Sequence, residues 1–117
     1  MTVLCYPKCT TCQKALAWLS SKGVSYAYRN IKEENPSYEE LKAWHAKSGL
    51  TLKSFFNTSG LSYKALGLKK KLPAMGEEEA LRLLASGGML VKRPLVITDA
   101  FVLAGFREAV WESAFPR

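Results

Sequence analysis

The N-terminal stretch constrains the fold more than any other, because an apolar run leads through a cysteine pair into a helical pattern. Thr2 to Tyr6 is nearly continuous in apolar residues, which is typical of a central strand covered on both faces. Thr10 to about Lys22 has helical periodicity, and Pro7 separates the two segments. The pattern predicts a strand-to-helix turn with Cys9 at the mouth of the helix.

Cys9 and Cys12 form a Cys-x-x-Cys pair at this predicted helix start. The first helical turn has unpartnered backbone N–H groups and the positive end of the macrodipole, so a thiolate is stabilised there. Such a setting can lower a cysteine pKa from about 8.5 to roughly 3.5 to 7.5. Cys12 follows one turn later, close enough to form a disulfide. It shares a core-facing stripe with Ala15, Leu16 and Leu19, so we expect a buried Cys12 and an accessible Cys9.

The cysteine pair fits a redox site, half of a zinc site, or inert packing. The strand before it and the helix after it favour the redox interpretation. A structural zinc site usually needs four Cys or His ligands, and the chain offers only Cys5, Cys9, Cys12 and His45. We therefore predict no metal site. His45 follows Trp44 in a helical pattern, and we expect a packing or surface role rather than a catalytic base.

Length and charge narrow the class of protein. The 117 residues predict one domain, residues 1–117, large enough to bury a core. An odd number of cysteines, three, favours a reducing cytoplasm over a secreted disulfide framework. Neither a signal peptide nor an apolar run of about 18 residues is present, so we expect no membrane span.

The net charge of +7 is compatible with an anionic partner such as an oxyanion, glutathione or nucleic acid, although a lysine-rich surface is the simpler explanation. The single basic run, Lys69 to Lys71, is too short for a nucleic-acid patch, so we expect no direct nucleic-acid binding.

The order of the remaining segments predicts an α/β domain. Val24 to Ile31 is expected to be a second strand, parallel to the first because a helical crossover joins them. Leu95 to Thr98 and Phe101 to Ala104 predict a hairpin, followed by a helix from Arg107 to about Phe115. The sequence thus predicts a four-stranded mixed sheet with a helical insertion, about residues 35–90, between its second and third strands.

Within this insert, Ser37 is expected to cap a helix, with Glu40 completing a capping box and Gly49 ending it. Short helical segments are predicted from Thr51 to Leu72, and another helix from Glu77 to about Ser86.

These segments together resemble the arsenate reductase (ArsC)-like proteins of the thioredoxin-fold superfamily, over essentially the whole chain. The segments that carry the resemblance are Pro7-Lys8-Cys9-Thr10-Thr11-Cys12, Asn57-Thr58-Ser59-Gly60 with Tyr63, Lys92-Arg93-Pro94-Leu95, Ala104-Gly105-Phe106 and Phe115-Pro116-Arg117. The Pro-x-Cys-x-x-Cys motif is similar to the Spx and YusI-type branch rather than to arsenate reductases with one cysteine in this loop.

The resemblance implies a thioredoxin-like fold and a role for several residues. Cys9 corresponds to the nucleophilic cysteine, and Cys12 is the expected resolving cysteine. Arg93 corresponds to an oxyanion-binding arginine, whose planar fork of donors suits an oxyanion or a carboxylate. Pro94 corresponds to the cis-proline that faces the active loop. Backbone N–H groups of Thr10 and Thr11 are expected to stabilise the developing thiolate.

The resemblance also implies an activity, that of a cytoplasmic thiol-disulfide or arsenate-reductase-like oxidoreductase. It would hold no cofactor and would take electrons from an external thiol reductant, thioredoxin or glutathione/glutaredoxin. The alternative is an Spx-like redox-sensing transcriptional regulator that binds the RNA polymerase alpha subunit, since a cysteine pair serves either role.

Arsenate reduction proper is less expected. Single-cysteine arsenate reductases use further arginines, one from the insert and one from the last loop. The chain has Asn57-Thr58-Ser59 and Phe106 there, with Arg107 adjacent. Each lost charge-assisted hydrogen bond costs roughly 1.5 to 3 kcal/mol.

Overall fold

The computed structural model describes residues 1–115, which form four strands and six α-helices. The strands are β1 (Thr2–Cys5), β2 (Ala27–Asn30), β3 (Leu95–Ile97) and β4 (Val102–Ala104). The α-helices are α1 (Thr10–Ser21), α2 (Tyr38–Ser48), α3 (Leu61–Ala65), α4 (Leu68–Lys71), α5 (Glu77–Ala85) and α6 (Glu108–Ala114). Short 3-10 helices cover Leu52–Phe55, Leu72–Ala74 and Gly88–Leu90. Pro116 and Arg117, the end of the predicted terminal match, lie outside the described residues.

The strands form one mixed sheet in the order β2-β1-β3-β4. β1 runs parallel to β2, with Cys5 opposite Asn30, and antiparallel to β3, with Leu4 opposite Leu95. β3 and β4 form the antiparallel hairpin. This confirms the predicted α/β fold, in which a helical insertion separates the second and third strands. Among residues 1–115, no helix has both the length and the apolar character needed to cross a bilayer.

β2 begins later than predicted, because the chain before it completes the end of α1. Gly23, at φ 68°, donates its N–H to the Ser20 carbonyl at 3.1 Å, and Val24 donates to the Leu19 carbonyl at 3.1 Å. This pair of bonds is a Schellman motif, which requires the left-handed conformation that glycine adopts without strain. Val24 is therefore committed to the helix end and cannot start the strand.

The two faces of β1 are buried in separate apolar clusters, as expected for a central strand. Leu4 packs with the helical insert, while Val3 and Cys5 pack with α1 and α6. On α1, Trp18 takes the buried position that the sequence assigned to Leu16, which is only partly buried. The Trp18 indole packs against Trp111 of α6, with ring centroids 5.7 Å apart.

The predicted capping box of α2 is confirmed and is tied to the sheet. The Ser37 hydroxyl accepts from the Glu40 N–H at 3.1 Å, and Glu40 Oε1 accepts from the Ser37 N–H at 3.0 Å. Arg29 on β2 donates to both Glu40 oxygens, at 2.7 and 2.9 Å. The Arg29 hydrogen bond lowers the pKa of Glu40 to about 2. One carboxylate therefore joins the start of the insert to the edge of the sheet.

Backbone hydrogen bonds hold the middle of the insert to the segment before β3. The Asn57 N–H donates to the Leu90 carbonyl at 2.8 Å, and the Lys92 N–H donates to the Phe55 carbonyl at 2.7 Å. These bonds bring the Asn57 loop to the residues that precede Pro94.

Candidate active site

The cysteine loop is a rigid turn between β1 and α1. Cys9 is the N-cap of α1, with extended backbone angles of φ −86° and ψ 119°. Its N–H donates to the Tyr6 carbonyl at 3.0 Å, and its carbonyl accepts from the Gln13 N–H at 3.0 Å. The Gln13 side chain donates to the Pro7 carbonyl at 3.0 Å. The predicted position of Cys9, where a strand gives way to a helix, is confirmed.

Three free thiols meet at this turn. Cys9 is partly exposed, whereas Cys12 is 1% exposed and Cys5 is 0% exposed. Cys5 and Cys12 belong to one buried cluster, and Cys9 packs against it. The accessible Cys9 and buried Cys12 agree with the sequence analysis, which did not foresee the contact with Cys5. Within residues 1–115, no set of three His, Cys, Asp or Glu side chains is arranged to hold a metal ion.

Cys12 is the thiol that ionises within this buried group. The hydrogen bond from Cys5 is the largest cause that lowers the pKa of Cys12 to about 6, and burial opposes it. Hydrogen bonds from the Tyr6 backbone and the Cys9 thiol, with the charge of Arg93, lower it further. The same contact with Cys12, together with burial, raises the pKa of Cys5 far above its ordinary range. At neutral pH, Cys12 is largely a thiolate and Cys5 holds its proton.

Arg93 and Pro94 approach the cysteine loop from the start of β3. The Arg93–Pro94 peptide bond is cis, which confirms what the resemblance implied. The Arg93 guanidinium carbon lies 5.5 Å from the centroid of the Tyr6 ring, and Nη1 is 3.5 Å from the Met89 carbonyl. Arg93 Nε is buried and has no hydrogen-bond partner in the described part of the chain. A buried donor without a partner is costly, so this atom suits an acceptor supplied by a ligand.

The loop between β4 and α6 closes the other side of the site. Gly105 donates its N–H to the Pro94 carbonyl at 2.8 Å, and Trp111 Nε1 donates to the Gly105 carbonyl at 3.1 Å. These bonds fix Phe106 and Arg107 at the rim of the site.

An open cleft of about 680 Å³ lies over Cys9. Its cationic lining comes from Lys92, Arg93 and Arg107, and no carboxylate is among the described side chains that line it. Asn57 and Ser59 contribute neutral polar groups from the insert. A cleft with this lining favours anionic ligands or ligands with carboxylate groups.

The structure therefore brings together most of the residues that the sequence singled out. Thr11 lines the cleft with Cys9, and Thr10 opens the same helical turn with an exposed side chain. The stabilising role of their N–H groups stays a prediction. Lys92 was missed as a site residue, although its place beside Arg93 in the sequence was a usable signal.

His45 lies outside the lining of this cleft and packs against Phe55, with ring centroids 5.7 Å apart. Its Nδ1 is 3.6 Å from a Glu77 oxygen. These contacts agree with the packing role expected for His45.

The mixed sheet, the cysteine pair at a helix start and the facing cis-proline define a thioredoxin-like α/β protein. A family model places it more narrowly. The ArsC family model matches residues 4–114, and the chain belongs to the ArsC family.

Individual relatives agree with this assignment. The uncharacterized protein YusI of Bacillus subtilis (strain 168) is 53% identical over 112 residues, which cover 96% of this chain and 95% of the relative. The crystal structure of an ArsC family related protein from Bacteroides fragilis has a TM-score of 0.94 and 55% identity, covering 96% of this chain and 94% of the other. The global transcriptional regulator Spx of Enterococcus faecalis is 28% identical over 117 residues, 100% of this chain and 87% of the relative. The chain is thus related to Spx regulators and to arsenate reductases.

Proposed function

We propose that this ArsC-family chain is a thiol-disulfide oxidoreductase that uses Cys9 and Cys12 as its dithiol. One observation carries the proposal: a partly exposed Cys9 opens into a cationic cleft, and it packs against the buried cluster in which Cys12 is held as a thiolate. A nucleophile that a substrate can reach, with an ionised partner behind it, is what thiol-disulfide exchange needs.

The exchange has two steps. Cys9 loses its proton to water and its sulfur attacks one sulfur of a disulfide substrate. A Cys9–substrate S–S bond forms, and the other half leaves as a thiolate that takes a proton from water. The Cys12 thiolate then attacks the Cys9 sulfur, the Cys9–Cys12 bond forms, and the second half leaves as a thiolate. The substrate gains two electrons and the protein pair loses two.

The start of α1 and the cleft supply the electrostatics of this mechanism. The N–H groups of Thr10 and Thr11 stabilise charge on Cys9, as an anion at a helix N-terminus is stabilised. Arg93 holds a carboxylate or oxyanion of the substrate through its free donor.

An external thiol reductant returns the Cys9–Cys12 disulfide to the dithiol, so the proposed cycle uses no bound cofactor. Thioredoxin and glutathione/glutaredoxin are the two candidates, and both act in the reducing cytoplasm.

The experiment compares wild type with Cys9→Ser and Cys12→Ser on oxidised glutathione, in an assay that supplies electrons through thioredoxin, thioredoxin reductase and NADPH, with the rate without the protein subtracted. We expect Cys9→Ser to lose at least about a hundredfold in turnover, because the attacking sulfur is gone. Cys12→Ser should stall as a glutathione adduct on Cys9, visible by intact mass. Equal, slow turnover of wild type and Cys9→Ser would disprove the proposal.

A second candidate is a redox-sensing regulator that binds the RNA polymerase alpha subunit. It is supported by the similarity of the whole chain to the Enterococcus faecalis global transcriptional regulator Spx. The test is capture of the chain on immobilised alpha subunit, with and without oxidant, beside Cys12→Ser as a variant that cannot form the pair. Capture that changes with oxidation only in the wild type supports this role, and equal or absent capture removes it.

Arsenate reduction proper is a third candidate, tested in the same coupled assay. Arg93 and Arg107 both line the cleft, but the insert contributes Asn57 and Ser59 where single-cysteine arsenate reductases have an arginine. One missing charge-assisted bond of roughly 1.5 to 3 kcal/mol predicts arsenate turnover about ten- to a hundredfold below that of a site that keeps this arginine.

A further inference from the structure

Cys5 has no part in the dithiol chemistry above, yet it is built into the same site. It is the last residue of β1, it is fully buried, and its carbonyl accepts from the Ile31 N–H at 2.9 Å. Its side chain shares the buried cluster of Cys12 and partly buried Cys9, between the sheet and α1. Both Cys5 and Cys9 influence the ionisation of Cys12, since each lowers the pKa of its thiol.

We propose that Cys5 is a third redox thiol, which forms an alternative disulfide with Cys12 and so returns Cys9 to the free thiol. The proposal rests on the proposed function for its first step, the formation of the Cys9–Cys12 disulfide. Its geometric basis is that Cys5 and Cys12 are buried in one cluster with Cys9 packed against it, so that either thiol is placed near Cys12 and can become its partner by local side-chain rotation.

The exchange is balanced within the protein. Cys5 loses its proton to water, its sulfur attacks the Cys12 sulfur, and a Cys5–Cys12 bond forms. The Cys9–Cys12 bond breaks, and Cys9 leaves as a thiolate. No electrons enter or leave the chain in this step, because one disulfide replaces another.

The state of Cys12 decides when Cys5 can react. In the reduced protein, the hydrogen bond to Cys12, burial and the charges of Cys12 and Cys9 raise the pKa of Cys5. Once Cys9 and Cys12 form their disulfide neither carries a charge, so three of these four causes disappear and burial alone opposes ionisation. Cys5 is therefore inert before the first disulfide forms and becomes a nucleophile only afterwards.

As a consequence, the protein would keep a buried Cys5–Cys12 disulfide while Cys9 is again a free thiol that can react with substrate. Both Cys5 and Cys12 are inaccessible to a bulky reductant, whereas Cys9 faces the cleft. With oxidant in excess, the chain should hold a buried disulfide and, at the same time, a substrate half on Cys9.

The sequence supplies a direct test, because Lys8 lies between Cys5 and Cys9. Trypsin leaves Cys5 in residues 1–8 and the Cys9/Cys12 pair in residues 9–14. The full chain is oxidised with oxidised glutathione, quenched in acid, alkylated, denatured and digested. The Cys9–Cys12 disulfide then appears as a loop within one peptide, whereas the Cys5–Cys12 disulfide joins two peptides.

We expect at least about a tenth of the oxidised chains to carry the two-peptide link, with Cys9 alkylated or glutathionylated in the fragment spectrum. A tenth corresponds to a second disulfide within about 1.4 kcal/mol of the first. A smaller fraction, or a link through Cys9 instead of Cys12, overturns the proposal.

The two proposals fail in different ways. If the Cys9–Cys12 loop appears without the Cys5–Cys12 link, the oxidoreductase proposal is kept and the proposed role of Cys5 is wrong. The linked peptide together with a Cys9→Ser variant as active as wild type removes the oxidoreductase and keeps the Cys5–Cys12 disulfide. If neither disulfide forms, both proposals are wrong.

Cys5→Ser and Cys5→Ala provide a second measurement by intact mass. The wild type should show a species with one internal disulfide and one glutathione, the glutathione lying on Cys9 in the fragment spectrum. Both variants have two cysteines and cannot form this species, so they give its background in the mass spectrum. If Cys5 has only a structural role, the wild type will also stay at that background, which would contradict the proposal.

Discussion

At the scale of single residues, the chemistry of the site concentrates on Cys12. The contacts with Cys5, the Tyr6 backbone, Cys9 and Arg93 all favour its thiolate, and burial alone opposes it. A thiolate is the attacking species in disulfide exchange. The buried cysteine is therefore ready to resolve a mixed disulfide at neutral pH without a separate base.

The lowered pKa of Cys12 predicts the pH dependence of the resolving step. The pKa of Cys12 is lowered from 9.0 to about 6, so its thiolate is populated above that pH and lost as pH falls through it. The decay of the Cys9–glutathione adduct, followed by quenched mass spectrometry, should slow about tenfold for each pH unit below about 6.

Arg93→Met should move this midpoint upward, because it removes a positive charge that favours the thiolate, whereas Arg93→Lys should largely keep it. A midpoint near the ordinary thiol value in the wild type would contradict the assignment of the thiolate to Cys12.

Sequence alone located the accessible Cys9 and the buried Cys12, because helical spacing fixes which side of α1 each one faces. It did not find the contact of Cys5 with Cys12, since that depends on how β1 packs against α1. Arg107 likewise reached the cleft through the conformation of the loop after β4, which no local pattern specifies.

At the scale of elements, the start of α2 has one contact that local sequence patterns predict and one that they do not. The capping box was predicted because Ser37 and Glu40 are neighbours in sequence. Arg29 comes from β2, so its bidentate contact with Glu40 could not be derived from spacing. The start of β2 was also predicted too early, because the N–H of Val24 is used in the Schellman motif that ends α1.

Glu40→Gln should reduce the free energy of unfolding by about 1 kcal/mol at neutral pH, a modest value because the side chain is 37% exposed and screened by solvent. The pKa of Glu40 is lowered from 4.5 to about 2 by Arg29. The carboxylate therefore stabilises the fold fully above about 4.5, and this contribution disappears as pH falls through about 2. Urea unfolding at several pH values measures the effect.

Glu39→Gln is the matched control, since Glu39 lies exposed on the same turn. It should cost only a few tenths of a kcal/mol, through the helix dipole. An equal loss in both variants would show that the pairing with Arg29 does not stabilise the chain.

At the scale of the whole molecule, the insert closes onto the sheet through a tight backbone approach. A Cβ placed on Gly88 would lie 1.7 Å from the Ile31 carbonyl oxygen, just after β2. The end of the insert and the edge of the sheet are thus in contact with no room for a side chain. This contact joins segments far apart in sequence, and nothing in the sequence pattern predicted it.

Gly88→Ala should therefore cost at least about 3 kcal/mol, because backbone on both sides must shift. Gly87→Ala is the control, since nothing lies within 4 Å of its Cβ position and its extended backbone suits any residue. We expect the control to stay within about 0.5 kcal/mol of wild type in urea unfolding. Similar losses in both would mean that the close approach is not real.

The net charge and the cationic cleft also predict a salt effect on substrate capture. The kcat/KM for oxidised glutathione, an anion, should fall several-fold as ionic strength rises to about 0.5 M, while that for a neutral disulfide should stay nearly constant. Lys92→Gln in the cleft should weaken the effect, and Lys69→Gln, with the same charge change outside it, should not. Equal salt effects on both substrates would exclude steering by the cleft.

The tryptophans that share a cluster with Cys12 provide an intrinsic fluorescence signal for its oxidation. Trp18 shares a buried cluster with Cys12 and stacks edge-on with Trp111 at 5.7 Å, while Trp44 lies with the insert on the opposite face of the sheet. Oxidation at Cys12 should therefore change the emission of Trp18 and Trp111 more than that of Trp44, the third tryptophan of the chain. A fluorimeter can therefore follow turnover in real time, without any dye or label.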